Sequence, residues 1–220
     1  MAATYKAYRA VDVSRYQGDI DYAAMRKAGI RAVIIRVGLG GMIDSKLYRN
    51  FEYAKKAGMI VGAYYVPYVI TTKGVSNASL RTDAAYCASQ CAEWLDGYRL
   101  DLPVFVDWEY ANDDTFTEQS GMLLTVSGRT LFVQTVAEQI RKKGLAVGIY
   151  TNPDYLTSKF TANAFSKYPL FLAQWVKHGT TASAGSVPTR YGMPMLWQYD
   201  YGRVSGCDYD IDLDFYYVKN

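Results

Sequence analysis

The feature that most constrains the fold is a series of short apolar runs, rich in β-branched and aromatic residues, that extends along nearly the whole chain. The eight runs cover residues 8–13, 32–37, 60–66, 103–108, 145–150, 170–175, 193–198 and 209–215. Runs of this length and composition, bounded by glycine and polar residues, are typical of buried strands. The sequence therefore predicts eight buried strands.

Helical patterns separate the first five of these strands, at residues 21–27, 46–56, 79–95 and 127–143. Three of them stop at a glycine, the usual residue just beyond a helix end: Gly29, Gly58 and Gly144. Alternating strands and helices predict a parallel sheet with helices outside it, and eight strands suffice to close a barrel.

The last three predicted strands lack full helices between them, and residues 180–187 form a loop rich in Ser, Thr, Gly and Ala. We therefore predict an α/β fold, a TIM-like barrel with five βα units and three final strands, (β/α)5(β)3. No linker, repeat or low-complexity segment divides the chain, so residues 1–220 are predicted to form one domain.

Charge and hydropathy exclude several classes of protein. The 24 Lys and Arg nearly balance the 21 Asp and Glu, and no basic run indicates a nucleic-acid partner. No apolar run reaches the ~20 residues that span a bilayer, and the first ten residues lack the apolar segment of a signal peptide. We expect a soluble monomer without membrane insertion.

Three cysteines, Cys87, Cys91 and Cys207, are too few and too poorly spaced for a disulfide framework. With His178 as the single histidine, a zinc site is also disfavoured. The sequence predicts reduced structural thiols and neither a metal nor a cofactor.

Acidic residues stand at the ends of predicted strands, where the active site of a βα barrel lies. Asp12 closes the first strand, Asp107 and Glu109 close the fourth, and Asp212 lies in the last. Because residues i and i+2 of a strand share a face, Asp107 and Glu109 should lie roughly 6 to 7 Å apart. One of two acids held so close is pushed towards its protonated form, as glycosidic cleavage requires.

Each of these acids also has a structural interpretation. An Asp-x-Glu at a strand end is often a solvated turn or a helix cap, but here it follows an apolar run at 102–106 that gives no packing reason for two acids. Asp12 could likewise be a cap. The alternating acids Asp208, Asp210, Asp212 and Asp214 could form a solvated edge or a calcium site. Arg36 could be the buried cation that offsets the acids.

The chain is rich in tyrosine, with 21 residues, and rings with a polar tip suit a wet groove that binds sugars. Ordinary half-buried packing is the alternative for any one of them. The predicted substrate-binding residues are Tyr64, Tyr150, Trp197, Trp175 and Tyr110.

Seven segments in order make the sequence similar to the family 25 glycoside hydrolases, the Chalaropsis-type lysozymes of bacteria and phage endolysins. They are Asp-Val-Ser-Arg-Tyr-Gln-Gly at 12–18, Ile-Ile-Arg-Val-Gly at 34–38, Ala-Gly-Met-Ile-Val-Gly-Ala-Tyr-Tyr at 57–65, Val-Asp-Trp-Glu at 106–109, Gly-Ile-Tyr-Thr at 148–151, Trp-Gln-Tyr at 197–199 and Ile-Asp-Leu-Asp at 211–214.

The resemblance implies a β-1,4-N-acetylmuramidase that cuts peptidoglycan strands of the bacterial cell wall, reached by secretion or by phage release. It implies that Glu109 is the general acid/base, that Asp107 assists at the sugar, and that Asp12 and Asp212 complete the pocket. The chain departs from the family at Tyr65, where His is frequent, and at Asp214, where Asn is frequent.

Two mechanisms and two rival functions stay open. The muramic N-acetyl group could act as internal nucleophile with Asp107 orienting it, or a water could attack with inversion. A chitinase-like barrel would show the longer motif Asp-x-x-Asp-x-Asp-x-Glu, but Phe105 occupies one of its acidic positions. A non-catalytic wall-binding barrel would be expected to have lost one of the two central acids.

Overall fold

A computed structural model describes residues 4–177 and 181–220, so His178 lies outside the described residues. The strands are β1 (Tyr5–Val13), β2 (Ile30–Leu39), β3 (Met42–Ile43), β4 (Ile60–Val66), β5 (Val104–Asp107), β6 (Val147–Thr151), β7 (Leu170–Ala173), β8 (Leu196–Gly202) and β9 (Ile211–Lys219). The helices are α1 (Tyr22–Lys27), α2 (Leu47–Lys56), α3 (Asn77–Trp94), α4 (Tyr110–Ser120) and α5 (Val126–Lys142).

Eight of these strands close into a barrel in the order β1, β2, β4, β5, β6, β7, β8, β9, and β9 pairs back with β1. The strand β3 forms only a short hairpin on β2. This arrangement confirms the predicted α/β barrel with its irregular final strands.

The direction of the last strand differs from the predicted parallel sheet. Neighbouring strands from β1 to β8 are parallel, but β9 is antiparallel to both β8 and β1. The connection between β8 and β9, residues 203–210, is too short for the crossover of a dozen or more residues that a parallel pair needs. The chain therefore turns back, and the start of β9 lies at the end of the barrel where β1 and β5 finish.

Helix α4 was not predicted, because its sequence carries no apolar stripe. Its buried side chains are Asn112 and Phe116, one of them polar. Asp113 fixes the helix from the other side by accepting hydrogen bonds from Arg129 Nε at 2.8 Å and Tyr155 Oη at 2.6 Å. Polar contacts rather than an amphipathic pattern hold this helix against the barrel.

The barrel interior is packed by a small apolar cluster formed by Ala10, Ala32, Ile34, Leu102, Phe105, Phe171 and Leu196. Gly148 of β6 leaves room for the Phe105 ring, since a Cβ at that position would lie 2.5 Å from it. Phe105 meets Phe171 edge to face, with ring centroids 5.4 Å apart. These two rings fill the barrel interior just below the carboxyl ends of the strands.

The three cysteines are free and buried, which confirms the prediction of reduced structural thiols. Cys87 and Cys91 both lie on α3, in the layer between the helix and the barrel. Within residues 4–177 and 181–220, the helices are all too short or too polar to cross a bilayer.

Candidate active site

A cavity of about 100 Å³ opens at the end of the barrel where the parallel strands finish. Eight residues line it: Asp12, Tyr64, Asp107, Glu109, Tyr150, Phe171, Gln198 and Asp212. The structure therefore brings together all four acids that the sequence singled out, and two of the five predicted sugar-binding rings.

Strand pairing places Asp12 and Asp212 side by side. Asp12 is the second-last residue of β1, Asp212 is the second residue of β9, and the two are directly paired across the antiparallel ladder. Directly opposed residues on adjacent strands have side chains about 5 Å apart on the same face. Two carboxyl groups thus enter the cavity from adjoining strands.

Asp107 and Glu109 are held by a local arrangement at the end of β5. Glu109 has extended backbone angles (φ −151°, ψ −166°) and immediately precedes α4. Its N–H donates to Asn112 Oδ1 at 2.9 Å, while Asn112 Nδ2 donates to the carbonyl oxygens of Pro67 at 3.0 Å and Asp107 at 3.3 Å. Asn112 is a site-building residue that sequence reasoning missed, although an Asn three residues after a strand-end acid is a capping signal.

The residue between the two acids faces the opposite way. Trp108 is fully buried against Phe132 of α5, with ring centroids 5.3 Å apart, and its carbonyl accepts a hydrogen bond from Thr151 Oγ1 at 2.9 Å. Because the Trp108 ring is held in the helix layer, both neighbouring acids are directed to the cavity. The predicted alternation at this strand end is confirmed.

Burial raises the pKa of all four acids. The pKa of Asp212 is raised to about 6, and that of Glu109 is raised by burial and then by the charge of Asp212. The pKa values of Asp12 and Asp107 are raised well above the usual range, by burial first and by neighbouring carboxylates second. The cluster therefore retains protons at a pH where exposed carboxyl groups are ionised.

Arg36 supplies positive charge beside this cluster. It lowers the pKa of both Asp12 and Asp107, while its own Nε donates to Asp44 Oδ2 at 2.7 Å in a buried ion pair. Its guanidinium also lies 5.0 Å from the centre of the Tyr16 ring. These contacts support the interpretation of Arg36 as a buried cation that offsets the acids.

The alternating acids of the last strand separate into two groups. Asp208 and Asp210 are exposed, as expected for a solvated edge. Asp214 is instead completely buried opposite Ala10 and Gln198, and neither of its carboxyl oxygens has a hydrogen-bond partner among the described residues. The solvated-edge interpretation is therefore wrong for Asp214, because β9 turns this side chain into the barrel.

We expect Asp214→Asn to stabilise the fold at neutral and alkaline pH. Burial and the charges of Asp12 and Asp212 raise the pKa of Asp214, so the folded state binds a proton that the unfolded state releases. Stability is therefore lost as pH rises above the unfolded pKa of ~3.9. Removing the titrating group should add about 1–3 kcal/mol at pH 8 and very little near pH 4.

Urea unfolding of both proteins from pH 4 to 9 measures this difference, with Asp208→Asn as the exposed control on the same segment. A constant difference across the pH range would show that Asp214 titrates alike in the folded and unfolded states.

The predicted sugar-binding rings do not all reach the cavity. Tyr64 and Tyr150 line it, and Tyr110 and Trp175 are half exposed, immediately after Glu109 and just beyond the end of β7 respectively. The assignment of Trp197 was wrong. This residue is 1% exposed, and its ring packs in a cluster with Tyr199 and Phe215 on the outside of the barrel.

The two tryptophans beside the last strands provide a matched pair of variants. Trp175→Ala should weaken binding of a glycan oligomer by roughly three- to tenfold, the worth of one aromatic contact, and shift the melting temperature by only a few degrees. Trp197→Ala should cost about 3–5 kcal/mol of stability, because it empties a buried site. Calorimetric binding and thermal melts test both, and the opposite pattern would place the sugar platform at Trp197.

Tyr65, one of the two departures from the family pattern, lies outside the cavity. Its hydroxyl donates to the Gly40 carbonyl at 2.6 Å, and its ring packs edge-on against Trp94 of α3. Because the side chain faces the helix layer, its neighbour Tyr64 is the one that reaches the cavity.

The sequence and the fold are both similar to those of known proteins. The family profile described as Glycosyl hydrolases family 25 matches residues 11–207. Lysozyme M1 of Streptomyces globisporus is 28% identical over 207 residues, which cover 92% of this chain and 65% of that protein. The Autolytic lysozyme of Clostridium acetobutylicum is 23% identical over 207 residues, which cover 94% of this chain and 55% of that protein.

The chain thus spans less than two thirds of the length of either relative. Among solved structures, the modular autolysin LytC of Streptococcus pneumoniae in complex with a synthetic peptidoglycan ligand has a TM-score of 0.73 and 20% sequence identity. The match covers 96% of this chain and 47% of LytC. At that identity the likeness concerns the barrel fold.

Proposed function

The chain belongs to glycosyl hydrolases family 25, and we propose that it is a lysozyme that hydrolyses the β-1,4 bond between N-acetylmuramic acid and N-acetylglucosamine in peptidoglycan. The observation that carries the proposal is the convergence of four carboxyl groups with raised pKa values in one cavity at the strand ends. Glycosidic cleavage requires a proton donor and a carboxylate at the same bond.

Glu109 is the proposed proton donor. Burial and the charge of Asp212 raise its pKa, so the group keeps its proton closer to neutral pH than an ordinary glutamic acid. Glu109 is also only partly buried, whereas Asp107 and Asp12 are each 7% exposed. It can therefore reach a leaving oxygen and exchange its proton with solvent between turnovers.

Asp107 is the proposed partner of the sugar N-acetyl group. Its Oδ1 is buried and has no hydrogen-bond partner among the described residues, which leaves it available to accept the amide N–H of a bound substrate. As the amide oxygen attacks the anomeric carbon, positive charge spreads over the amide. That charge would lower the pKa of Asp107 and favour its carboxylate form.

Asp12 and Asp212 complete the acidic wall opposite β5. The ionised form of Asp212, whose pKa is about 6, favours the protonated form of Glu109, and Asp12 interacts electrostatically with Asp107 and Glu109. Tyr64 and Tyr150 flank the acids, and Tyr110 and Trp175 offer exposed rings for the neighbouring sugars.

The named relatives support the same substrate. Both curated relatives are lysozymes, and LytC was solved with a synthetic peptidoglycan ligand. We accordingly propose that this chain acts on the bacterial cell wall. Retention of both central acids argues against a binding barrel that has lost its activity.

Digestion of purified sacculi is expected to leave N-acetylmuramic acid at the new reducing ends, identified by mass spectrometry of borohydride-reduced muropeptides. Substrate assistance further predicts that the product first appears as the β-anomer, which NMR of the fresh digest detects. Reducing-end N-acetylglucosamine would contradict the proposed bond. An α-anomer would instead support attack by water with inversion.

A further inference from the structure

Gln198 lies at a point where several parts of the cavity wall meet, and the proposed chemistry gives it no role. It is the third residue of β8, it is 3% exposed, and it is paired with Ala173 of β7 and Asp214 of β9. The pairing of β8 with β9 shifts register between Gln198 and Asp200. Gln198 faces the cavity while its neighbour Trp197 packs outside the barrel.

Both ends of the Gln198 amide form hydrogen bonds. Its Nε2 donates to Asp12 Oδ2 at 2.8 Å. Its Oε1 accepts from Tyr150 Oη at 3.1 Å and from Trp175 Nε1 at 2.8 Å. One uncharged side chain thus connects a buried carboxyl group, a cavity-lining hydroxyl and a half-exposed indole.

An amide of this length meets both requirements of the position without adding a titratable group. The side chain must donate to Asp12 and accept two hydrogen bonds at its other end, which neither a carboxylate nor an apolar group can do. A glutamate here would place another negative charge beside Asp12, in a wall that already contains Asp212 and Asp214.

The Trp175 indole is the exposed end of this network. The ring is 53% exposed and packs against the Tyr201 ring, with the ring centroids 5.4 Å apart and the ring planes at an angle of 43°. Its Nε1 is nevertheless directed inward to Gln198. A sugar that stacks on Trp175 would therefore contact a ring whose orientation is tied, through one amide, to the carboxyl group of Asp12.

We infer that Gln198 is a positioning residue that holds the Asp12 carboxyl group in one orientation and couples it to the sugar platform at Trp175. The inference rests on the proposed function and deepens it, because it assigns a role at the same site to a residue that touches no reacting atom. It predicts that the amide, not merely its volume, is required for turnover.

The groups that face Asp12 from the surrounding elements determine what loss of the amide does. They are Arg36 from β2, Tyr64 from β4, Asp107 and Glu109 from the end of β5, Tyr150 from β6, and Asp212 and Asp214 from β9. Of these, Arg36 alone carries positive charge. Without the Nε2 donor the Asp12 carboxylate loses one of its two stabilising partners, so its pKa should rise.

Gln198→Met, which keeps the length and volume but removes the hydrogen bonds, should lower kcat on peptidoglycan by about 10- to 100-fold with a smaller change in KM. It should also move the acidic limb of the kcat/KM profile to higher pH. The matched control is Gln134→Met, since Gln134 Nε2 donates to the Ala164 carbonyl at 3.1 Å, away from the cavity. A profile that does not move would overturn the inference.

Trp175→Phe provides a second variant that keeps a ring and removes only the Nε1 donor. Its effect should be smaller, in the same direction, and non-additive with Gln198→Met in a double-mutant cycle. Additive losses would show that the two residues act separately and would reject the coupling.

Carboxyl ¹³C NMR of aspartate-labelled protein measures the pKa of Asp12 directly, without an activity assay. The Asp12 signal is assigned by its absence in Asp12→Asn. The titration of Asp12 should move to higher pH in Gln198→Met and stay unchanged in Gln134→Met. If the wild type is inactive but the Asp12 titration moves in Gln198→Met, the proposed function is contradicted and the hydrogen-bond role of Gln198 is not. If the wild type is active but the Asp12 titration stays unchanged in Gln198→Met, only the inference about Gln198 is contradicted.

Discussion

Glu109→Gln is expected to lower turnover on purified peptidoglycan by roughly 10² to 10⁴, the usual worth of a positioned general acid. The amide keeps the shape of the side chain and cannot donate the proton in the same way. Because Glu109 N–H is held by Asn112, and this contact involves the backbone, the substituted side chain should keep its place. Glycan affinity should change little, so the loss should appear in kcat rather than in KM.

Glu118→Gln is the matched control, because Glu118 lies on the same helix, α4, and is exposed. It should retain the activity of the wild type. If Glu109→Gln kept near-normal activity while its fold and glycan binding were intact, the proton donor would lie elsewhere, and Asp12 and Asp212 would be the next acids to substitute.

Asp107→Asn is expected to reduce kcat by roughly 10² to 10³, on the scale of losing one preorganised charge partner of a transition state. Burial and the charge of Glu109 raise the pKa of Asp107 well above the usual range, and the asparagine keeps the shape of its protonated form. The loss should therefore fall on the step in which positive charge develops, with KM nearly unchanged.

The pH profiles of Asp107→Asn and Asp212→Asn should differ. Loss of the Glu109 proton produces the alkaline limb of kcat/KM. The charge of Asp212 raises the pKa of Glu109, whereas the charge of Asp107 is not among the causes of that shift. Asp212→Asn should therefore move the alkaline limb to lower pH, and Asp107→Asn should leave it nearly in place. The reverse result would show that Asp107 is the charged neighbour of Glu109.

The barrel and its central pair of acids were predictable because both depend on short-range patterns. Apolar runs of strand length, separated by helical patterns with terminal glycines, specify strands and helices locally. Asp107 and Glu109 follow such a run at positions i and i+2, so their shared direction follows from the pleat of the strand alone. The position of Asp12 at the cavity could be predicted for the same reason, since it also lies near the end of an otherwise apolar strand.

The tertiary structure decided which residues of the last two strands face the cavity. Trp197 and Gln198 are adjacent, and a shift of one residue in the register of β8 would exchange their environments. The aromatic cluster with Tyr199 and Phe215 takes the tryptophan to the outside, and the glutamine then enters the cavity. The residue type favoured Trp197 as the sugar-binding residue, but closure of the barrel determined which side chains of β8 point into the cavity.

The reversal of β9 is the other feature that depended on the whole fold. It places Asp212, near the start of its strand, beside Asp12, near the end of another, and it buries Asp214 below them. The sequence by itself determined the eight barrel strands, all the main helices except α4, and the acids at the strand ends, because pleat and helical periodicity act over a few residues. Only the closed barrel determined which distant acids became neighbours, because strand direction and register depend on contacts between residues about 200 positions apart in the chain.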